Sequence, residues 1–161
     1  MKSLEPRYSP TLQARVAAHL HGPLGHLCFV VLKLLGVDIP RTVRLGRGLR
    51  LPHGAPGLVI HPSTVIGDDV NIFQGVTVGR SDQYLRNDQL APGGGVIIGD
   101  RVVLGVGSVV LFRSGRQVHL GDDAVVGANS VVLTDIPRGE IWAGAPATRR
   151  RRNPNARQDC I

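Results

Sequence analysis

Residues 60–79 read IHPSTVIGDDVNIFQGVTVG, and Ile60, Ile66, Ile72 and Val78 stand six residues apart in them. A six-residue period marks a solenoid, in which each short repeat buries its apolar side only against its neighbours. The same phase runs back through Leu51, Leu45 and Ile39. It resumes forward at Ile98, Leu104 and Val110, and again at Leu120, Val126 and Val132. Gly often follows the aliphatic residue, as at Gly46, Gly67, Gly99, Gly105, Gly121 and Gly127. Four residues after the aliphatic comes a small or β-branched residue, as at Thr64, Val70, Val76, Ser108 and Ser130. Three such hexapeptides make one triangular coil. The aliphatic points inward, the short residue fills the space beside it, and Gly is expected to turn the corner with an unusual φ.

Composition agrees with a narrow, strand-lined core. Of 161 residues, 42% are apolar but only 4% aromatic, and Gly reaches 21. Small and β-branched residues suit short strands. Residues 11–22 and 23–36 precede the repeat and read as two short helices, with Pro23 in the first turn of the second and Gly36 at its end. Residues 1–10 read as irregular. The domain reading is therefore 1–36 helical, 37–148 repeat and 149–161 basic tail. Three stretches break the rhythm: 54–59, the polar and Gly-rich loop 80–95, and 112–119. Loops of such length in a regular array are commonly functional.

Several function classes are excluded by charge and cysteine use. Cys28 and Cys160 make no disulfide framework, which fits a reducing, cytoplasmic setting. The apolar stretch 24–37 is too short and too interrupted to span a bilayer, so no membrane partner is expected. The net charge is +7, and Arg149, Arg150, Arg151, Arg152 and Arg157 crowd the tail. No aromatic residue interleaves with them and no nucleic-acid fold signature is present, so no nucleic acid is expected. His53, His61 and His119 lack the spacing and support of a metal centre, so no metal is expected.

The segment 37–62, VDIPRTVRLGRGLRLPHGAPGLVIHP, resembles the serine acetyltransferases of the hexapeptide-repeat superfamily, as do residues 60–79 and the closing VVGANSVVLTDIPRGEIWAGAPA of 125–147. The resemblance covers residues 37–148. It implies a mainly β fold: a left-handed parallel β-helix with a short N-terminal helical segment and protruding loops. It also implies acetyl transfer from acetyl-CoA to a hydroxyl, within a homotrimer. In that family an Asp and a His fifteen residues apart form a catalytic pair, a spacing that Asp38 and His53 share. Fifteen residues is close to one coil, which would bring both side chains to one edge. An imidazole titrates near neutral pH and accepts the hydroxyl proton as it attacks. The carboxylate would orient the ring, as in triad logic. By register, Gly79, Arg80, Val106 and Ala128 match contacts to coenzyme A, and Arg149 and Arg150 would meet its phosphates.

Two departures concern the acceptor. The family carries an acid just before the catalytic His, where this chain has Pro52. It also carries an Arg-His pair where this chain has Gly94 and Gly95. These departures favour a sugar or natural-product hydroxyl over serine. Ile161, a terminal residue that the family uses to dock cysteine synthase, favours serine. A non-catalytic scaffold is the remaining reading.

Overall fold

The computed structural model describes residues 10–157. Ile161 and Cys160 therefore lie outside the described residues. Three parallel sheets wrap one core. The first holds β1 (Val37–Asp38), β3 (Leu58–Ile60), β6 (Thr77–Arg80), β9 (Val109–Phe112) and β12 (Val131–Val132), in that spatial order. The second runs from β2 (Arg44–Leu45) through β4 (Thr64–Ile66) and β7 (Gly95–Ile98) to β10 (Gln117–Leu120). The third runs from β5 (Asn71–Ile72) through β8 (Val103–Leu104), β11 (Val125–Val126) and β13 (Glu140–Ala143) to β14 (Thr148–Arg152). Up to β13, successive strands fall in different sheets, and each pairs in parallel with the strand one coil away. This is the expected left-handed parallel β-helix.

The periodic aliphatics form the core. All are buried except Leu45, which is half-buried. Each fully buried Leu, Ile or Val contributes about 1.5–3 kcal/mol. Thr64, Ser108 and Ser130 are also buried, filling the space beside the corners as the repeat implies.

The corners differ from the expectation. Gly67, Gly99 and Gly121 follow an aliphatic residue, yet their φ is not positive. Their need for glycine is close approach: a Cβ on Gly99 would lie 2.8 Å from the Asp122 nitrogen. The left-handed residue comes two positions later, at Asp69, Arg101 and Asp123. Asp and Asn tolerate that conformation because a short polar side chain bonds locally.

Four local readings also change. The first helix, α1 (Leu12–Ala17), ends early because i→i+3 bonds from His19 and Leu20 tighten its last turn and tuck Leu20 into the core. The second, α2 (Gly25–Leu34), starts after Pro23, where Gly25 packs against the Leu20 carbonyl. The break at 112–119 shrinks to residues 113–116, because Phe112 and Val118 are both buried on sheet-bonded strands. Residues 148–152 are not a solvated tail. They form β14, which folds back antiparallel on β13. The helices sit on the first coil, where Thr11 Oγ1 donates to the Leu51 carbonyl at 3.0 Å.

Candidate functional site

The candidate residues flank the first sheet. Val37 pairs with Leu58, 21 residues on, whereas Val59 pairs with Thr77, 18 residues on. The first coil is thus three residues longer, and a 3-10 turn, Pro52–Gly54, stands in the lengthened corner. His53 sits within that turn at φ 55° and ψ 19°. A left-handed β-carbon-bearing residue costs about 1 kcal/mol or more, and here it holds an exposed ring at the corner. Among the described residues the ring of His53 has no hydrogen-bond partner.

A coil longer than fifteen residues changes the geometry of the pair. Asp38 stacks on Val59, in the column that continues through Thr77, Val109 and Val131 on the outer face of the first sheet. His53 reaches the same sheet from its corner, six residues before Val59. The Asp38 carboxylate pairs with Lys33 Nζ at 2.6 Å, and no hydrogen bond joins it to His53.

Val106 and Ala128 lie one coil apart on the corner column that begins at the His53 turn. Gly75, Gly107 and Asn129 donate in succession to the carbonyls of Pro56, Gln74 and Val106. Both candidates are exposed, and Val106 retains 38% of its surface. Gly79 and Arg80 lie at the opposite edge of the first sheet, on β6. A Cβ on Gly79 would make only ordinary contact, 3.7 Å from Leu111. Arg149 and Arg150 are on β14, where both guanidinium groups are already engaged. Arg149 Nε donates to Glu140 at 2.8 Å, and Arg150 donates to the Ala143 carbonyl at 2.9 Å.

Two features escaped the sequence reading. His61 is half-buried and edge-on to Phe112 with ring centroids 4.9 Å apart. Its Nδ1 accepts from the Ser63 N–H, which leaves the proton on Nε2. Burial first, and the Arg80 guanidinium second, hold this imidazole below its usual range. The second feature is Asp82, 3% exposed, which accepts from both the N–H and the hydroxyl of Ser114. Those bonds hold its carboxyl below the ordinary carboxylate range. Asp82 also lies 3.3 Å from Arg80 Nε, so loop 80–95 is moored to the 113–116 turn. Hexapeptide phase could not find either contact, because it reads inward residues and both lie across a corner.

Residues 95–134 match the family model for the hexapeptide repeat of succinyl-transferase. The chain is 40% identical over 114 residues to a serine acetyltransferase of Helicobacter pylori, a match covering 71% of this chain and 60% of the relative. It also superposes on a Neisseria gonorrhoeae serine acetyltransferase in complex with serine, with a TM-score of 0.61 and 31% identity over 84% of this chain and 52% of that one. A Brucella abortus serine acetyltransferase in complex with coenzyme A gives a TM-score of 0.66 and 26% identity over 87% of this chain and 53% of that one. The chain thus spans about half to 60% of the length of these relatives. Repeat phase, coil architecture and these relatives agree: the chain carries a hexapeptide-repeat β-helix that is similar to that of the serine acetyltransferases.

Proposed function

We propose that the chain transfers an acetyl group from acetyl-CoA to a hydroxyl, with His53 as general base and serine as the acceptor. The observation that carries this is the lengthened corner. Three extra residues and a left-handed non-glycine backbone present an exposed imidazole on the corner that Val106 and Ala128 continue, which supports this role. In the reaction the His53 ring takes the hydroxyl proton as the oxygen attacks the thioester carbonyl. The tetrahedral intermediate then collapses, the C–S bond breaks, and the imidazolium returns the proton to the leaving thiolate. The products are an O-acetyl ester and free coenzyme A. Asp38 would orient the ring from the neighbouring sheet, exchanging Lys33 for His53. Gly79, Val106 and Ala128 would line the coenzyme A groove between copies of a trimer. Ile161 would carry any docking to cysteine synthase.

Thiol release from acetyl-CoA, measured across serine, homoserine, sugars and aminosugars, tests this reading. His53→Ala should lose at least about a thousandfold in turnover while coenzyme A still binds. Near-normal turnover by that variant sinks the mechanism.

One observation favours a sugar or natural-product hydroxyl as the acceptor instead. Where the family carries its Arg-His pair, this backbone has no room for side chains. Gly94 has φ +100°, and a Cβ there would lie 2.7 Å from the Arg116 carbonyl; a Cβ on Gly95 would collide with the Ser63 carbonyl. The acceptor panel separates the two readings directly.

A further inference from the structure

The apolar side chains of α2 are divided between two opposite faces. Gly25 and Leu32 are buried against the rest of the molecule. Leu24, Leu27, Val30 and Leu34 are exposed, and Leu34 retains 82% of its surface. At 100° per residue these four fall within an arc of about 120°, opposite the buried pair. Leu12 of α1, 60% exposed, adds to the same helical end. Exposed His26 and Lys33 stand between the two apolar faces, and the helix caps the first coil at an end of the solenoid.

The charge around it is mostly positive. Between residues 10 and 67 the chain carries Arg15, Lys33, Arg41, Arg44, Arg47 and Arg50, all exposed. Lys33 pairs with Asp38, Arg47 with Asp68 and Arg50 with Asp69, which leaves Arg15, Arg41 and Arg44 without a carboxylate partner among the described residues. The solenoid beyond residue 67 is different, because its Asp68, Asp100, Asp122 and Asp123 interleave with arginines. Exposed leucines on the helix that Arg41 adjoins, with Arg15 and Arg44 on the neighbouring elements, match the chemistry of an anionic lipid surface, which takes apolar side chains into its acyl boundary and cations at its headgroups. Among the described residues no helix is long and apolar enough to cross a membrane. We propose that this helical end docks peripherally on anionic membranes, with α2 lying in the interface and the coils standing away from it. The sequence expectation of no membrane partner rested on spanning alone and did not address this mode. The inference is independent of the acetyl-transfer reading.

The test is co-sedimentation of the full chain with phosphatidylcholine vesicles, with and without phosphatidylglycerol. Binding is expected only to the anionic vesicles. It should weaken steeply from 0.1 to 1 M salt, as the Debye length falls from about 10 to about 3 Å. Leu27→Gln with Leu34→Gln should weaken it by about tenfold or more, because two apolar side chains leave the bilayer. Arg41→Gln with Arg44→Gln should weaken it on anionic vesicles. All four positions are exposed, so an unchanged melting temperature confirms that the variants fold. Three results overturn the proposal. One is no binding to anionic vesicles. Another is binding indifferent to the leucine pair. The third is sedimentation showing that the leucine pair instead holds copies of the chain together.

Discussion

Asp123 combines a left-handed backbone, at φ 59°, with a buried carboxylate. Its oxygens accept from Arg101 Nε at 2.7 Å and Nη2 at 3.0 Å, and its carbonyl accepts from Asn153 Nδ2 at 2.7 Å. The Arg101 bonds come first among the causes that hold this carboxyl below its ordinary range. A carboxylate with a depressed folded pKa binds fewer protons folded than unfolded across the interval between the two values. Its stabilisation is therefore complete above the unfolded pKa of about 4 and is lost as pH falls through the folded one. Asp123→Asn keeps a residue that tolerates the left-handed backbone. It should cost about 2 kcal/mol at pH 7 and flatten the loss of stability below about pH 4. Urea unfolding at both pH values checks this, and equal losses at both would show that the charge is not involved. Asp38 offers a second contrast. If it orients His53, Asp38→Asn should lower kcat about tenfold or more with the acetyl-CoA KM unchanged. A change in KM alone would make it only the structural partner of Lys33.

At the scale of coils, the corners hold the stack in register. The Asp68, Asp100 and Asp122 carboxylates accept from the N–H groups of Arg47, Asp68 and Asp100 in turn, so each corner caps the one before it. Glycine beside the corner lets the backbones approach. Gly121→Ala would place a Cβ 2.5 Å from the Arg138 nitrogen, a contact with backbone that no rotamer relieves. It should cost about 1–3 kcal/mol, measured by thermal or urea unfolding; Gly79→Ala, whose Cβ would make only ordinary contacts, serves as the neutral comparison. These corners also show where sequence reasoning reached its range. Every aliphatic on the six-residue phase except Leu45 is buried, because inward direction repeats with the hexapeptide. It misassigned the role of glycine, because close approach between coils is a relation between residues some 20 apart. The same limit applies to the site. His53 and Asp38 are candidates through the family resemblance, but the three-residue lengthening that puts one on a corner and the other on a sheet depends on strand register. Likewise, Asp82 and Ser114 meet only when loop 80–95 folds across the 113–116 turn.

A solenoid has two ends, and each must stop the sheets from recruiting another edge. Helices α1 and α2 cover the first coil. The last coil closes differently, because β14 turns back antiparallel and pairs with β13, whose other edge is taken by β11. All five residues of β14 are exposed and four of them are arginine, a composition that discourages edge-to-edge pairing. Arg149 neutralises Glu140, and Glu140 also accepts from Trp142 Nε1 at 2.8 Å. Asn153 ties the segment after β14 to the Asp123 corner. The arginines that read from sequence as a tail able to meet phosphates are thus parts of a cap. Ending the chain at Ala147 would bare the full β13 edge and leave Glu140 and Asp123 without these partners. That truncation should lower the melting temperature and produce growing light scattering at neutral pH. Charge reversal at Arg151 and Arg152 alone should do neither, because the backbone ladder remains. A truncated chain that melted unchanged and stayed monodisperse would show that β13 needs no cover.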